Sequence, residues 1–591
     1  MEKGTWFAKM LVWRLKYISD KNFVLILSGV VGCISGLAAV TLKWTVHEIH
    51  HLLSGNSDYY VRAIFPFFGL LITYIIAHFF FKEQLGHGIT KILYLISKGS
   101  SNIKKRMMVS RMLTSAFTVG FGGSVGLEAP IVVTGAAIGS NISREMALHY
   151  KERTLLIGCG SAAAVSAIFN SPVAGVIFTI EVILSEVNIK KFIPLLIASV
   201  CGSFVSLMLL GDEILFSFKL TESFNASQGV WFVGLGVFCG FVALHFTRTT
   251  YFVEGLVHKI TNSWSKIAVG GLILGLIIFV FPPMYGEGYN TIKLILAGEG
   301  DTILSNSMFF KQIDKEWTLV IFVIGMIIVK GVASSVTIGS GGSGGVFAPS
   351  LFIGGISGFL FARVINLLGF TDPVSESVFT LVGMCGVMSG VLHAPLTGIF
   401  LIAEITGGYA LFVPLMLVSA ISFITISYFE PHSIYTKHLI EKGDLITDNK
   451  DKQLLSLLDV RKLIEKDFSV IHPDSTLQEL TDVIKSCSRN LYPVVNNQCE
   501  LVGIITLDDV RRIMFDTEMQ EKILVRTIMK LPKEHIYMGD NMQVIMKKFE
   551  KSGAWNLPVV TNEQVYIGFF SKSKIFNAYR SRLIKQHEEI V

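Results

Sequence analysis

Between apolar runs long enough to cross a bilayer lies Gly122-Gly123-Ser124-Val125-Gly126-Leu127-Glu128-Ala129-Pro130, a glycine-rich break that carries a carboxylate. This stretch limits what the chain can become. Backbone that leaves the helix at membrane depth has no water to satisfy it, and survives only where protein or a watery cavity surrounds it. Pro130 suits the first turn of a helix, where its missing N–H would be unpaired anyway, and the glycines reach backbone angles closed to other residues. A helix that starts here presents free N–H groups to an anion. Glu128 is ionisable and sits inside a membrane segment, which makes it a functional candidate.

The composition agrees with a membrane setting. The 591 residues are 51% hydrophobic and 16% charged, against roughly 25% charged in soluble chains. Residues 1–436 hold 51 of the 96 Asp, Glu, Lys and Arg residues and residues 437–591 hold the other 45, so a membrane region gives way to a soluble one. The net charge of +6 is small and dispersed, and argues against a nucleic-acid partner. Seven scattered cysteines show neither metal spacing nor paired motifs, so no metal site and no disulfide framework are expected. In residues 1–22, Lys3, Lys9, Arg14, Lys16 and Lys21 precede the apolar run 23–42. That is the pattern of a first membrane helix with a basic cytoplasmic flank rather than of a cleaved signal. The N-terminus and the soluble tail are expected on the cytoplasmic side of the cell (plasma) membrane.

Apolar stretches recur near 23–45, 62–81, 109–121, 131–142, 154–184, 190–210, 229–248, 267–282, 317–338, 350–369, 378–404 and 410–429. Several are shorter than the ~20 residues of a full span or are interrupted by Gly and Pro, which predicts tilted and broken helices. Self-comparison shows an internal repeat. Ser166, Pro172, Gly175 and Glu181 recur 223 residues later as Ser389, Pro395, Gly398 and Glu404. Gly-Leu-Glu128-Ala129-Pro130 recurs at an offset of 219 as Gly-Val-Phe347-Ala348-Pro349, and Gly86-His87-Gly88 at 200 as Gly286-Glu287-Gly288. Three pairs in one order make two homologous halves, about 23–211 and 229–436, with a substrate site between them. Whether the halves are inverted is not visible in the repeat itself.

These motifs resemble the CLC family of voltage-gated chloride channels and anion/proton antiporters. Gly345-Val346-Phe347-Ala348-Pro349 matches its G-x-F-x-P motif. Ala394-Pro395-Leu396-Thr397-Gly398 with Glu404, and Phe169-Asn170-Ser171-Pro172-Val173-Ala174-Gly175 with Glu181, match its paired signatures. The resemblance implies a multi-span α-helical membrane domain (23–436) of two inverted repeats, and a homodimer with one pore per subunit. It implies Glu128 as the gating glutamate, whose carboxylate competes with the anion. Helix N-termini would meet at a dehydrated anion held by His87, Gly88 and Ile89, by the N–H groups of Val346 and Phe347, and by the Tyr435 hydroxyl. The lesser alternative for the tyrosine is an interfacial anchor.

The departures from the family pattern matter as much. His87 stands where the family has a serine, and Thr90 where it usually has proline. An imidazole near its own pKa can carry charge where a hydroxyl cannot, which leaves the preferred small inorganic anion open, with chloride as the default. Val182 stands where proton-coupled members often carry a second glutamate. It cannot hold a proton and favours a channel, although Glu186 one helical turn on could substitute. Leu127 replaces the basic residue that usually precedes the gating glutamate, which weakens the attraction of anions to the mouth. Glu181 and Glu404 read as structural.

After a linker at 437–455, the tail repeats a short α/β unit. Leu491-Tyr492-Pro493-Val494-Val495 followed by Leu501–Asp509 parallels Asn556-Leu557-Pro558-Val559-Val560 followed by Tyr566–Lys574. This resembles a CBS domain pair, with domains at 456–515 and 523–581. In some CBS pairs an Asp at the position of Asp509, with a companion like Thr506, binds adenine nucleotide; capping of a helix start explains the same two residues. No other cofactor is expected. No catalytic residues are assigned, since no nucleophile–base pair or phosphate loop is present. The expectation is a non-enzymatic anion channel regulated by its tail. An antiporter with an unconventional inner proton path is the alternative, and a membrane-anchored nucleotide sensor is the alternative of another class.

Overall fold

Hydrophobic side chains point outward as well as inward along the long helices of this chain. On the helix Lys315–Gly339, Ile321, Ile324 and Ile328 are exposed at helical spacing while Phe322, Val323 and Met326 are fully buried. An apolar outer face is stable in lipid, not in water. The computed structural model describes residues 17–54, 59–83, 85–86, 88–98, 100–184, 189–211, 228–307, 315–441, 458 and 460–588. It divides into two compact units, Met1–Leu445 and Ile446–Val591. Residues 1–16 and most of the linker 437–455 lie outside the described residues, as do His87 and Glu186.

Among the described residues, 8 helices are long and apolar enough to cross a membrane. Two of the expected apolar stretches, 154–184 and 378–404, are broken. Tyr150–Phe169 ends on Asn170 in the left-handed conformation (φ 56°), and Pro172–Phe178 restarts the chain as a short helix that runs into a π-helical turn, Thr179–Ile183. Glu376–Leu392 ends on left-handed His393 (φ 55°) and Pro395–Ile405 follows. In both, the proline sits at a helix start, where it fits. Two further short helices, Gly88–Ser97 and Tyr289–Leu296, were not among the expected apolar stretches.

The halves pack by the same device. A Cβ on Gly139, in Glu128–Glu145, would lie 1.9 Å from the carbonyl oxygen of Leu156 in Tyr150–Phe169. A Cβ on Gly358, in Phe347–Leu368 and 219 residues later, would lie 1.9 Å from the carbonyl oxygen of Phe379 in Glu376–Leu392. Such close backbone approach gives van der Waals contact where the surrounding lipid offers no hydrophobic drive for association.

The halves also exchange caps. The Glu181 carboxylate accepts the N–H groups of Leu396 (3.1 Å) and Thr397 (2.7 Å) and the Thr397 hydroxyl (2.6 Å). The Glu404 carboxylate accepts those of Val173 (3.0 Å) and Ala174 (2.8 Å). Each signature glutamate thus caps the helix that starts at the other half's proline, where a negative charge is favourable.

In the tail, Leu491–Val495 pairs antiparallel with Leu501–Thr506, and Asn556–Val560 lies between Ile536–Tyr537 and Tyr566–Ser571. The two units meet at an antiparallel bridge, Glu500 to Val565, with the Leu501 N–H on the Gln564 carbonyl at 3.1 Å.

Candidate functional site

The two glycine-rich breaks pair with each other. Gly126 and Gly345 form a single antiparallel bridge, N–H to carbonyl at 3.0 and 2.9 Å in the two directions. From it start two helices of the same design, Glu128–Glu145 and Phe347–Leu368, each with proline as its third residue. An antiparallel bridge between matched residues relates the two breaks by an approximate two-fold axis. First-turn N–H groups lack intrahelical partners and carry partial positive charge, so two such helix starts share one locality.

Glu128 is the first residue of its helix and is 2% exposed. Its Oε1 accepts the Tyr289 hydroxyl at 2.9 Å. Its Oε2 is buried with no hydrogen-bond partner, and lies 2.0 Å from where a Cβ on Gly126 would stand. Glycine at 126 therefore makes room for the carboxylate.

The helix Gly88–Ser97 begins against the same structure. A Cβ on Gly88 would lie 2.4 Å from Cγ2 of Val133, on the Glu128 helix, and Ile89 is buried. Thr90 donates through its hydroxyl to the Tyr435 carbonyl at 3.1 Å. Tyr435 is itself buried, its hydroxyl has no partner, and it lies within electrostatic reach of Glu128. Phe347 is buried against the rings of Phe169 and Phe178, at 5.3 and 5.9 Å between centroids. Glu128, Gly88, Ile89, Val346, Phe347 and Tyr435 are thus gathered around three helix starts. Two buried oxygens among them have no partner, and buried polar atoms are rarely left so. Val182 is half-buried in the π-helical turn beside Glu181.

Sequence reasoning passed over three residues here. Lys330 is fully buried in Lys315–Gly339; its ammonium donates to Ser124 Oγ at 2.8 Å and the Gly286 carbonyl at 3.4 Å, and lies 4.8 Å from the Phe352 ring centre. A lone lysine in an apolar helix was the available signal. Its amino group thus stands at the break whose Leu127 is uncharged. Glu287 and Tyr289 sit in the segment that the repeat pairs with Gly86-His87-Gly88, a segment to which no site role was given.

In the tail, Thr506 caps the helix Leu507–Val510, and the Asp509 carboxylate accepts the Thr506 N–H (2.9 Å) and hydroxyl (2.6 Å). Its other oxygen pairs with Lys530. Burial works against the Asp509 anion, but the Lys530 ammonium and the Thr506 groups outweigh it and hold the carboxyl below the ordinary aspartate range. These two residues, proposed above for a nucleotide, are engaged with each other and with Lys530.

Residues 68–427 match the voltage gated chloride channel family, and residues 460–516 match the CBS domain. The voltage-gated ClC-type chloride channel ClcB of Escherichia coli is 29% identical over 334 residues, 56% of this chain and 74% of that protein. Among solved structures, a eukaryotic CLC transporter aligns with a TM-score of 0.60 at 18% identity, over 94% of this chain and 99% of its own. A slow cyanobacterial Cl−/H+ antiporter aligns with a TM-score of 0.59 at 22% identity, over 73% and 100%. A CLC-type fluoride/proton antiporter aligns with a TM-score of 0.56 at 19% identity, over 70% and 97%. With the paired breaks, the exchanged caps and a family match that spans most of the membrane unit, this chain belongs to the voltage-gated chloride channel (CLC) family and carries a C-terminal CBS domain.

Proposed function

We propose that the chain is a CLC-type anion channel of the cell membrane, gated by Glu128. The observation that carries this reading is the buried Glu128 Oε2, which makes no hydrogen bond, within electrostatic reach of a Tyr435 hydroxyl that also makes none, among three helix starts. A carboxylate and a small anion compete for the same N–H groups. When Glu128 takes a proton or is displaced, its charge leaves the helix start and the anion takes its place. Val182 supports a channel, since its side chain cannot relay protons. The two solved antiporters favour coupled exchange as the second reading, and Glu186 would then be the first place to look for the inner proton route.

Chloride is the default anion, and the protein is proposed to act as a homodimer with its N-terminus and tail in the cytoplasm. The tail is proposed to regulate by contact rather than through an adenine nucleotide, because Asp509 already serves Thr506 and Lys530. The test records anion efflux and external pH together from reconstituted vesicles. Efflux without linked proton movement is expected, and proton uptake driven by an anion gradient would overturn the channel in favour of the antiporter. Glu128→Gln is expected to conduct at neutral pH and to lose pH-dependent gating, which efflux between pH 5 and 8 checks.

A further inference from the structure

Tyr285-Gly286-Glu287-Gly288-Tyr289 runs across the glycine-rich break as a strap. Gly286 (φ 68°) and Gly288 (φ 89°) are both left-handed, and the Gly286 N–H donates to the Gly122 carbonyl at 3.1 Å. The two turns place Glu287 at the start of the Glu128 helix, where its Oε1 accepts the Leu127 N–H at 3.2 Å. That N–H belongs to the group an anion would bind at this helix start. Tyr289 of the same strap donates to Glu128, and Lys330 ties the strap to the break through Gly286 and Ser124. The charged groups within electrostatic reach of Glu287 are Glu128, Lys43 and Lys330. Glu287 is half-buried whereas Glu128 is 2% exposed, so the two carboxylates stand at different depths beside one helix start.

We infer that Glu287 is a second gating carboxylate, which holds the Leu127 N–H in competition with the transported anion and acts in series with Glu128. The inference rests on the anion-transport reading. A carboxylate at this N–H both occupies the donor and repels the incoming charge, and both effects end when it is neutralised or removed.

The experiment compares chloride efflux at neutral pH from vesicles holding wild type, Glu287→Gln, Glu287→Ala, Glu128→Gln, or the double variant Glu128→Gln/Glu287→Gln. Each is first matched to wild type by size-exclusion profile. Both Glu287 substitutions are expected to raise efflux about tenfold, the scale of one charge-assisted hydrogen bond, and the double variant to exceed either single one. The amide of Gln still offers an oxygen to Leu127, so a residue that merely braces the strap would leave Glu287→Gln at the wild-type rate and slow Glu287→Ala; that result overturns the inference. Should Glu287→Ala fail to fold, the Gln comparison decides alone. Wild-type efflux unchanged by both substitutions sinks the inference and spares the transport reading, while no chloride efflux from wild type or any variant removes both.

Discussion

At the scale of single residues, charge in this site is arranged around one buried cation. Lys330 lies within electrostatic reach of Glu287, and its side chain is fully buried, hydrogen-bonded to Ser124 and Gly286. At an effective dielectric near 20, a unit charge a few ångströms away is worth about 4 kcal/mol, so removing it changes the site for any anion. Lys330→Met is expected to lower chloride efflux about tenfold, a change of roughly 1.4 kcal/mol, measured in vesicles at neutral pH. Lys330→Arg should retain more of the flux than Lys330→Met. Glu128 was legible in the sequence because a lone carboxylate between glycine and proline has few bland explanations. Glu287 was visible only as the repeat partner of His87, and its role was not, since its partner Leu127 is 160 positions away.

At the scale of elements, the exchanged glutamate caps convert a sequence repeat into a mechanical tie between the halves. Glu404→Ala would leave the Val173 and Ala174 N–H groups without their carboxylate, at about 3 kcal/mol for the pair. A lower thermal midpoint is expected, and Glu404→Gln, which keeps one acceptor oxygen, should fall less. Gly139→Ala forces a methyl into the Leu156 carbonyl oxygen at 1.9 Å and is expected to cost about 1–3 kcal/mol by overpacking, read in the same melting experiment. The helix breaks were legible from Pro172 and Pro395, whereas the left-handed stops at Asn170 and His393 were not. Asn and His enter the left-handed region more readily than most residues, but each does so in only a small share of its occurrences, so neither marks the stop until the following helix must turn back.

At the scale of the whole molecule, the membrane unit and the tail answer to different solvents and different tests. Deleting residues 456–591 is expected to change regulation and leave the anion order intact; an altered order in a vesicle flux series would contradict that division. In the tail, the folded Asp509 carboxyl is held below its unfolded value of about 4 by Lys530 and Thr506, against burial. Its contribution is therefore present above that unfolded value and lost as pH falls through the folded one. Lys530 is largely exposed, so solvent screening limits the effect to about 1 kcal/mol or less. Asp509→Asn should flatten the fall in tail stability below pH 4, followed in the full chain by the protection of Thr506 and Leu507 amides from hydrogen exchange.

Read alone, the sequence determined the membrane setting, the two halves, the breaks at Glu128 and Phe347, and the CBS-type tail. Each of these follows from local composition or from repetition along the chain, which need no knowledge of distant contacts. Tertiary structure alone decided that Gly126 and Gly345 bridge, that Glu181 and Glu404 exchange helices, and that Lys330, Glu287 and Tyr289 close around Glu128. The physical reason is the same for all three: a buried polar group must find its partner wherever the fold brings one, and here the partners lie 44 to 231 residues apart.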